Sequence, residues 1–325
     1  MAASEQVRLL VIGGGPAGYT ASLYAARFGL EPVCIEGYDA GGQISRSFLV
    51  ENYPGIADGT SGADLAARVR EQAAGFGARI VTDDVTSVDL SQRPFVVSTH
   101  GTTYLAESLV VATGSRPRAL DLPGEQELVG RGIAYCAICD GAFFAGSRVV
   151  VVGGGNAALG EALAMQRVAA EVTVVHRRET FRADASVQAA ARAAGISNMT
   201  PLVVEELVAG DAGLAGVRLR DVDSGRTSYL PTDGLFIAIG HVPASTPFAP
   251  WLELDRHGCI VTAAGTTLTS LPGVFAAGDV ADARYRQAVT AASSGCMAAI
   301  DAERWLVSGD WSGPRHQPDL AVAGR

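Results

Sequence analysis

At 325 residues with 48% hydrophobic content, the chain is about twice the usual domain size and can fill two cores, so two domains are expected. A net charge of −9 and a pI near 5.1 argue against nucleic acid or an anionic membrane as partner, since both reward clustered Lys and Arg. No window reaches membrane-span length and the N-terminus lacks a signal-like pattern, so a cytoplasmic protein is expected.

The first elements lie in VRLLVIGGGPAGYTASLYAARFGLEPVCIE, from Val7. It reads as an apolar β-branched strand, a glycine turn, an Ala-rich amphipathic helix and a second apolar strand, which is a βαβ unit. Gly13, Gly15 and Gly18 fit the dinucleotide fingerprint. In that pattern the first Gly makes the turn, the second admits the pyrophosphate, and the third allows close helix packing. Glu36 stands 23 residues after Gly13, at the end of the second strand. A carboxylate there can accept hydrogen bonds from ribose hydroxyls, so this copy reads as an FAD or NAD site. A further strand follows in LVVATGSRP, from Leu109.

Cys136 and Cys139 in CAICDG are the close pair among five cysteines, while Cys34, Cys259 and Cys296 stand alone and read as buried small hydrophobes. A C-x-x-C beside a helix N-terminus has lowered thiol pKa and sulfurs within disulfide reach. Half of a zinc site and a plain structural pair are the alternatives, the latter disfavoured because a cytosolic C-x-x-C in a βαβ context usually means redox chemistry. Tetrahedral zinc needs two more ligands, and there is no second C-x-x-C or His pair at suitable spacing, so no metal is expected. Asp140 sets a carboxyl directly after Cys139.

A second βαβ unit, SRVVVVGGGNAALGEALAMQRVAAEVTVVH from Ser147, matches the first without gaps at an offset of 140 residues. Its fingerprint is Gly153, Gly155 and Ala158. At the spacing of Glu36 stands His176, followed by Arg177 and Arg178, so a carboxylate gives way to a cationic cluster suited to a 2′-phosphate, and NADP(H) is the expected ligand. Arg182 would join the cluster if the segment were helical. LFIAIGHVP from Leu235 repeats the later strand of the first copy, and GVFAAGDVAD delivers Asp279 at the end of another strand assigned to the first domain. The second domain is thus inserted in the first. The expected fold is α/β: two Rossmann-like, three-layer (ββα) dinucleotide-binding domains.

Taken together, GGGPAGYTASLYAAR, GGQISRSFLVENYPG, ATGSRPR, CAICDG, GGGNAALGEAL, VHRRETFRAD, FIAIGH and PGVFAAGDVADARYRQAVTAASSGCMAA resemble the low-molecular-weight, bacterial-type thioredoxin reductases from Val7 to about Leu306. The resemblance implies an FAD domain of residues 1–117 and 246–310, an NADPH domain of residues 118–245, and a flexible tail at 311–325. It implies FAD contacts at Gly41, Gly42, Gln43 and Asn52 near the flavin, at Asp279 on the ribitol, and at Arg286, Gln287 and Ala288 beside the isoalloxazine. Pro16, Ala17, Val85, Ala112, Gly114 and Gly278 complete the FAD set, and Asn156, Ala157 and Gly240 the NADPH set. By the same resemblance Cys139 meets the flavin, Cys136 attacks the substrate disulfide, and Asp140 protonates the outgoing thiolate. Thioredoxin or a thioredoxin-like protein is the implied partner and a homodimer the implied assembly. Ala142 departs from the family, many of whose members carry a first docking aromatic there, although Phe143 and Phe144 follow at once. Other readings are a dithiol oxidase or small-molecule disulfide reductase of the same fold, and a dinucleotide-sensing regulator. The intact second fingerprint counts against the oxidase, and the C-x-x-C-Asp against the regulator.

Overall fold

Strand β1 (Ala3–Ile12) explains the first unit, because Leu9, Leu10 and Val11 are wholly buried and only a parallel strand covered on both faces accepts such an uninterrupted apolar run. In this computed structural model, which describes residues 3–56, 59–309 and 311, β1 turns at Gly13 into α1 (Pro16–Arg27) and β2 (Val33–Ile35). Then follow α2 (Gly62–Gly75), β3 (Arg79–Val81), β4 (Val85–Asp89), β5 (Phe95–Thr99) and β6 (Thr102–Val111).

After β7 (Ser115–Pro117) the chain enters the second unit through α3 (Glu125–Leu128) and β8 (Ile133–Ala134). The short α4 (Ala137–Asp140) precedes the second βαβ unit: β9 (Arg148–Val152), α5 (Asn156–Met165) and β10 (Glu171–Val175). Beyond α6 (Ala185–Ala193) and β11 (Ser197–Met199) comes a meander of β12 (Leu202–Gly210), β13 (Gly213–Asp221) and β14 (Thr227–Pro231). Strands β15 (Gly234–Ile237) and β16 (His241–Pro243) lead back, and β17 (Val274–Ala276) and the long α7 (Ala288–Ser308) complete the chain.

In the first unit the sheet order is β3-β2-β1-β6-β5-β4, with β17 beside β6. Strands β3, β2, β1, β6 and β17 run parallel, and β4 and β5 are antiparallel. Leu9 and Val11 pack with residues of α1 and α7, and Leu10 and Ile12 with Phe95, Val97 and Phe248. The second unit has the parallel order β11-β10-β9-β15-β8. Val149 and Val151 face α5 and α6, while Val150 and Val152 face the β12–β14 side through Val217 and Leu219. The three-layer expectation holds, because a parallel sheet must cover both faces to bury its strands.

One unit is made of residues 1–116 and 242–325, the other of residues 117–241. By this division the chain crosses after residue 116 and returns after residue 241. Both passages lie in β7 and β16, which pair as a two-stranded ribbon. Trp311 packs on Trp305 and Phe275, with ring centroids 5.4 and 5.3 Å away, and residues 312–325 lie outside the described residues. Among the described residues no helix is long and apolar enough to cross a membrane.

Candidate active site

Cys136 and Cys139 form a disulfide with Cα atoms 5.3 Å apart. Cys136 is the N-cap of α4, and the Cys139 amide donates to its Sγ at 3.1 Å. An amide aimed at that sulfur favours its thiolate once the bond is reduced. Cys139 is nevertheless the more exposed of the two and Cys136 is half-buried, so exposure does not single out Cys136 as the attacking sulfur. Burial raises the pKa of Asp140 to about 6. Of the two aromatics after Ala142, Phe143 is exposed, whereas Phe144 stacks edge-on against Phe236 at 5.0 Å.

Sequence spacing did not flag Glu161, on α5, as part of this site. Its carboxylate accepts the Ala137 amide, and burial raises its pKa, opposed by that amide and reinforced by the charge of Asp140. Only the fold brings residues 24 apart in sequence together. A Glu inside the fingerprint helix was the available signal.

The second glycine turn is built as its spacing requires. Gly153 has φ +151°, and a Cβ there would run into the Ala238 carbonyl and the Ala158 side chain. Gly155 caps α5, lacks any atom within 4 Å of its virtual Cβ, and brings no side-chain cap. The first amides of α5 thus face open space, as an anion requires. Ala157 is exposed at this end of the helix.

The segment after β10 is not helical, so Arg182 reaches the turn by another route than a helical repeat. Its amide donates to the Gly154 carbonyl at 2.7 Å, and the Ala183 amide does so at 3.1 Å. Asn156 fastens the same loop, its Nδ2 donating to Asp184 at 2.8 Å and its Oδ1 accepting the Asp184 amide at 2.7 Å. Arg177, Arg178 and Arg182 are exposed, and among the described residues no carboxylate pairs with them.

His176 does not belong to the cationic cluster to which its spacing assigns it. It is 6% exposed, stacks on Phe181 at 5.4 Å, and leaves Nε2 without a partner. Burial, then the charges of Arg182, Arg178 and Arg177, lower its pKa, so it is neutral at working pH. Gly240 has φ +108° and accepts the Arg118 amide at 2.9 Å.

In the first unit Gly13 has φ +121°, and a Cβ there would strike the Ala112 carbonyl; Gly18 likewise lies against the Gly13 carbonyl. Gly15 faces open space and α1 has no side-chain cap, with Pro16 at its first position followed by buried Ala17. Gly41 donates to the Gly14 carbonyl at 2.9 Å, and Gly42 lies against Gly15, which brings Gln43 on the next turn beside the fingerprint. Asn52 is exposed on the loop that follows, and Val85 begins β4 half-buried against the core. Gly114 accepts the Ala244 amide at 2.9 Å.

Glu36 is committed to the protein. Tyr19 Oη donates to it at 2.7 Å, Arg70 Nε and Nη2 at 2.8 and 3.0 Å, and Thr82 Oγ1 at 2.5 Å. Burial opposes its charge, yet these hydrogen bonds outweigh burial and hold its pKa below the usual carboxylate range. Both oxygens already accept two donors, which is the ordinary capacity of a carboxylate. A ribose hydroxyl must therefore share or displace one of them.

Asp279 is half-buried and accepts from Ser115 Oγ at 3.2 Å; burial raises its pKa to about 6. It follows Gly278, whose φ of +77° brings it against Ala17. Arg286 also has a positive φ, +49°, with its amide on Asp282 at 3.2 Å. Gln287 then caps α7, which starts at Ala288, through a capping box with Thr290. Cys34 and Cys259 are buried, as expected of small hydrophobes, with thiol pKa values pushed up to about 12 and 11 by burial. Cys296 is half-buried.

Two glycine turns opening uncapped helices toward free space, with a disulfide and a desolvated carboxyl in the second unit, define a dinucleotide-dependent disulfide oxidoreductase. The family model for pyridine nucleotide-disulphide oxidoreductases matches residues 7–295, and the chain belongs to that family. The chain is 48% identical over 308 residues to the thioredoxin reductase of Streptomyces coelicolor, covering 94% of this chain and 95% of that one. It is 44% identical to the thioredoxin reductase of Coxiella burnetii, over 92% and 96% of the two chains. A solved thioredoxin reductase from Giardia duodenalis superimposes with a TM-score of 0.88 at 38% identity, over 93% of this chain and 99% of that one. The chain is an FAD- and NADPH-dependent disulfide reductase.

Proposed function

We propose that the disulfide reduced is that of a thioredoxin-type protein, and that electrons reach it through Cys136 and Cys139. The carrying observation is the placement of the pair: a reducible disulfide with apolar Ile138 and Phe143, 72% and 48% exposed, beside it. Exposed apolar side chains next to a reactive sulfur suit a protein surface. The names of the relatives point the same way. Phe143 supplies an aromatic although Ala142 does not.

The glycine turn of α5 holds the pyrophosphate of NADPH, and Arg177, Arg178 and Arg182 its 2′-phosphate. The turn of α1 holds the pyrophosphate of FAD, with Asp279 on its ribitol and Gln43, Asn52, Arg286, Gln287 and Ala288 around its ring. Bound FAD supplies the two-electron link between NADPH and the disulfide. In the dithiol form the Cys136 thiolate attacks one sulfur of the partner disulfide. A mixed disulfide forms, and one partner thiolate leaves with a proton from Asp140. The Cys139 thiol then attacks Cys136 Sγ as its proton passes to the second partner sulfur, re-forming the Cys136–Cys139 disulfide and releasing that sulfur as a thiol. The partner gains two electrons and two protons. Asp140 suits this role because its raised pKa leaves a transferable proton near neutrality.

The test is NADPH oxidation by purified protein, with oxidised thioredoxin from the same host or with a small disulfide. Thioredoxin-dependent turnover well above that with the small disulfide is the expected result. Turnover with the small disulfide alone would reject the protein partner.

A further inference from the structure

Helix α5 grips the redox turn at both ends. At the N-terminal end the Glu161 carboxylate accepts the amide of Ala137, the residue directly after Cys136. At the C-terminal end the fully buried Met165 lies against Gly141, where a Cβ would meet its Sδ at 3.0 Å. Between these two points sit Cys139 and Asp140, and Cys136 directly precedes the first of them. The same helix carries, at its start, Asn156, which fastens the loop of Arg182 and Asp184, and Ala158, which packs on Gly153.

Four residues make a helix too short to hold itself in place, since nucleation costs more than one turn returns. Its orientation must come from tertiary contacts. The Met165 contact is apolar and non-directional. The Glu161 contact is directional, because an amide donor to a carboxylate fixes distance and angle together. It also satisfies one of the unpaired amides that every helix start exposes.

We propose that Glu161 is a positioning residue of the disulfide chemistry: its carboxylate, delivered by the nucleotide-fingerprint helix, holds the Ala137 amide and so sets the orientation of the turn bearing Cys136, Cys139 and Asp140. The role is one of reach. Thiol–disulfide exchange needs the attacking sulfur aligned with the target bond, and misplacement by about 1 Å can cost on the order of a hundredfold in rate. The inference rests on the disulfide-reductase reading above.

Two conservative variants separate reach from charge. Glu161→Gln keeps the side-chain length and an oxygen acceptor but removes the charge. Glu161→Asp keeps the charge but is one methylene short. With thioredoxin as substrate, Glu161→Asp should lower kcat about tenfold with the NADPH KM within about twofold of wild type, and Glu161→Gln should stay within about threefold in kcat. A second readout needs no partner protein: the ratio of iodoacetamide alkylation rates at Cys136 and Cys139 in the dithiol form. That ratio should shift several-fold in Glu161→Asp and stay as in wild type in Glu161→Gln. Wild-type behaviour of Glu161→Asp in both readouts would overturn the proposal, as would equal impairment of the two variants. If wild-type protein fails to reduce thioredoxin, the partner assignment falls, while the alkylation ratio still decides the role of Glu161.

Discussion

The imidazole of His176 lies against the backbone of Gly154, so closely that a Cβ at Gly154 would overlap the ring. His176 is therefore a packing element of the nucleotide turn, held neutral, and under the proposed function the charge that would read the 2′-phosphate is left to Arg177, Arg178 and Arg182. NADPH should be preferred over NADH, and replacing Arg177 and Arg178 together by Ala should remove most of that preference. A charge-assisted contact contributes about 1.5–3 kcal/mol, or roughly tenfold to a hundredfold in kcat/KM. His176→Gln should leave most of the preference intact. Equal kcat/KM for the two nucleotides in the wild type would reject the assignment.

Asp140 titrates near 6 in the fold, against about 3.9 in an unfolded chain. Between those values the folded protein binds more protons, so this group's contribution to stability falls as pH rises through the interval. Asp140→Asn should therefore raise the melting temperature at pH 8 by a few degrees and change it little at pH 4. The same variant should lose about a hundredfold in turnover with a protein disulfide and lose the limb of the pH–rate profile that falls near pH 6. An unchanged pH profile would remove Asp140 as the proton donor.

Gly15 and Gly13 separate ligand space from fold. A Cβ at Gly15 meets no protein atom, so Gly15→Ala should fold with near wild-type circular dichroism yet lose most of its bound flavin. Gly13→Ala places a Cβ into the Ala112 carbonyl at a backbone angle that L-residues avoid, and should give little folded protein. Full flavin content in Gly15→Ala would show that the open space is not the pyrophosphate site.

Cys139→Ser leaves Cys136 able to attack but without its internal rival. Mixed with a thioredoxin that lacks its own resolving cysteine and is activated as a mixed disulfide, it should give a stable covalent adduct on intact-mass analysis. Cys136→Ser should form that adduct poorly, and both variants should lose protein-disulfide turnover. The greater exposure of Cys139 makes this a real choice. An adduct with Cys136→Ser alone would reverse the two roles.

Much of this protein was legible without coordinates, because its signals are local. The glycine spacing, the strand-turn-helix pattern and the C-x-x-C pair each act within one supersecondary unit, where backbone sterics leave few alternatives. The duplication and the insertion follow from repeating that unit. The tertiary structure decided what depends on distant neighbours. Spacing marks His176 as a cation, yet burial beside Gly154 makes it neutral. Spacing marks Glu36 as a ribose ligand, and only the fold shows that Tyr19, Arg70 and Thr82, up to 46 residues away, also donate to its carboxylate. Ser115 reaches Asp279 across 164 residues, and Glu161 reaches the redox turn only because α4 packs on α5. Charge state and hydrogen-bond occupancy depend on desolvation and on which side chains converge, and those are properties of the packed chain rather than of spacing.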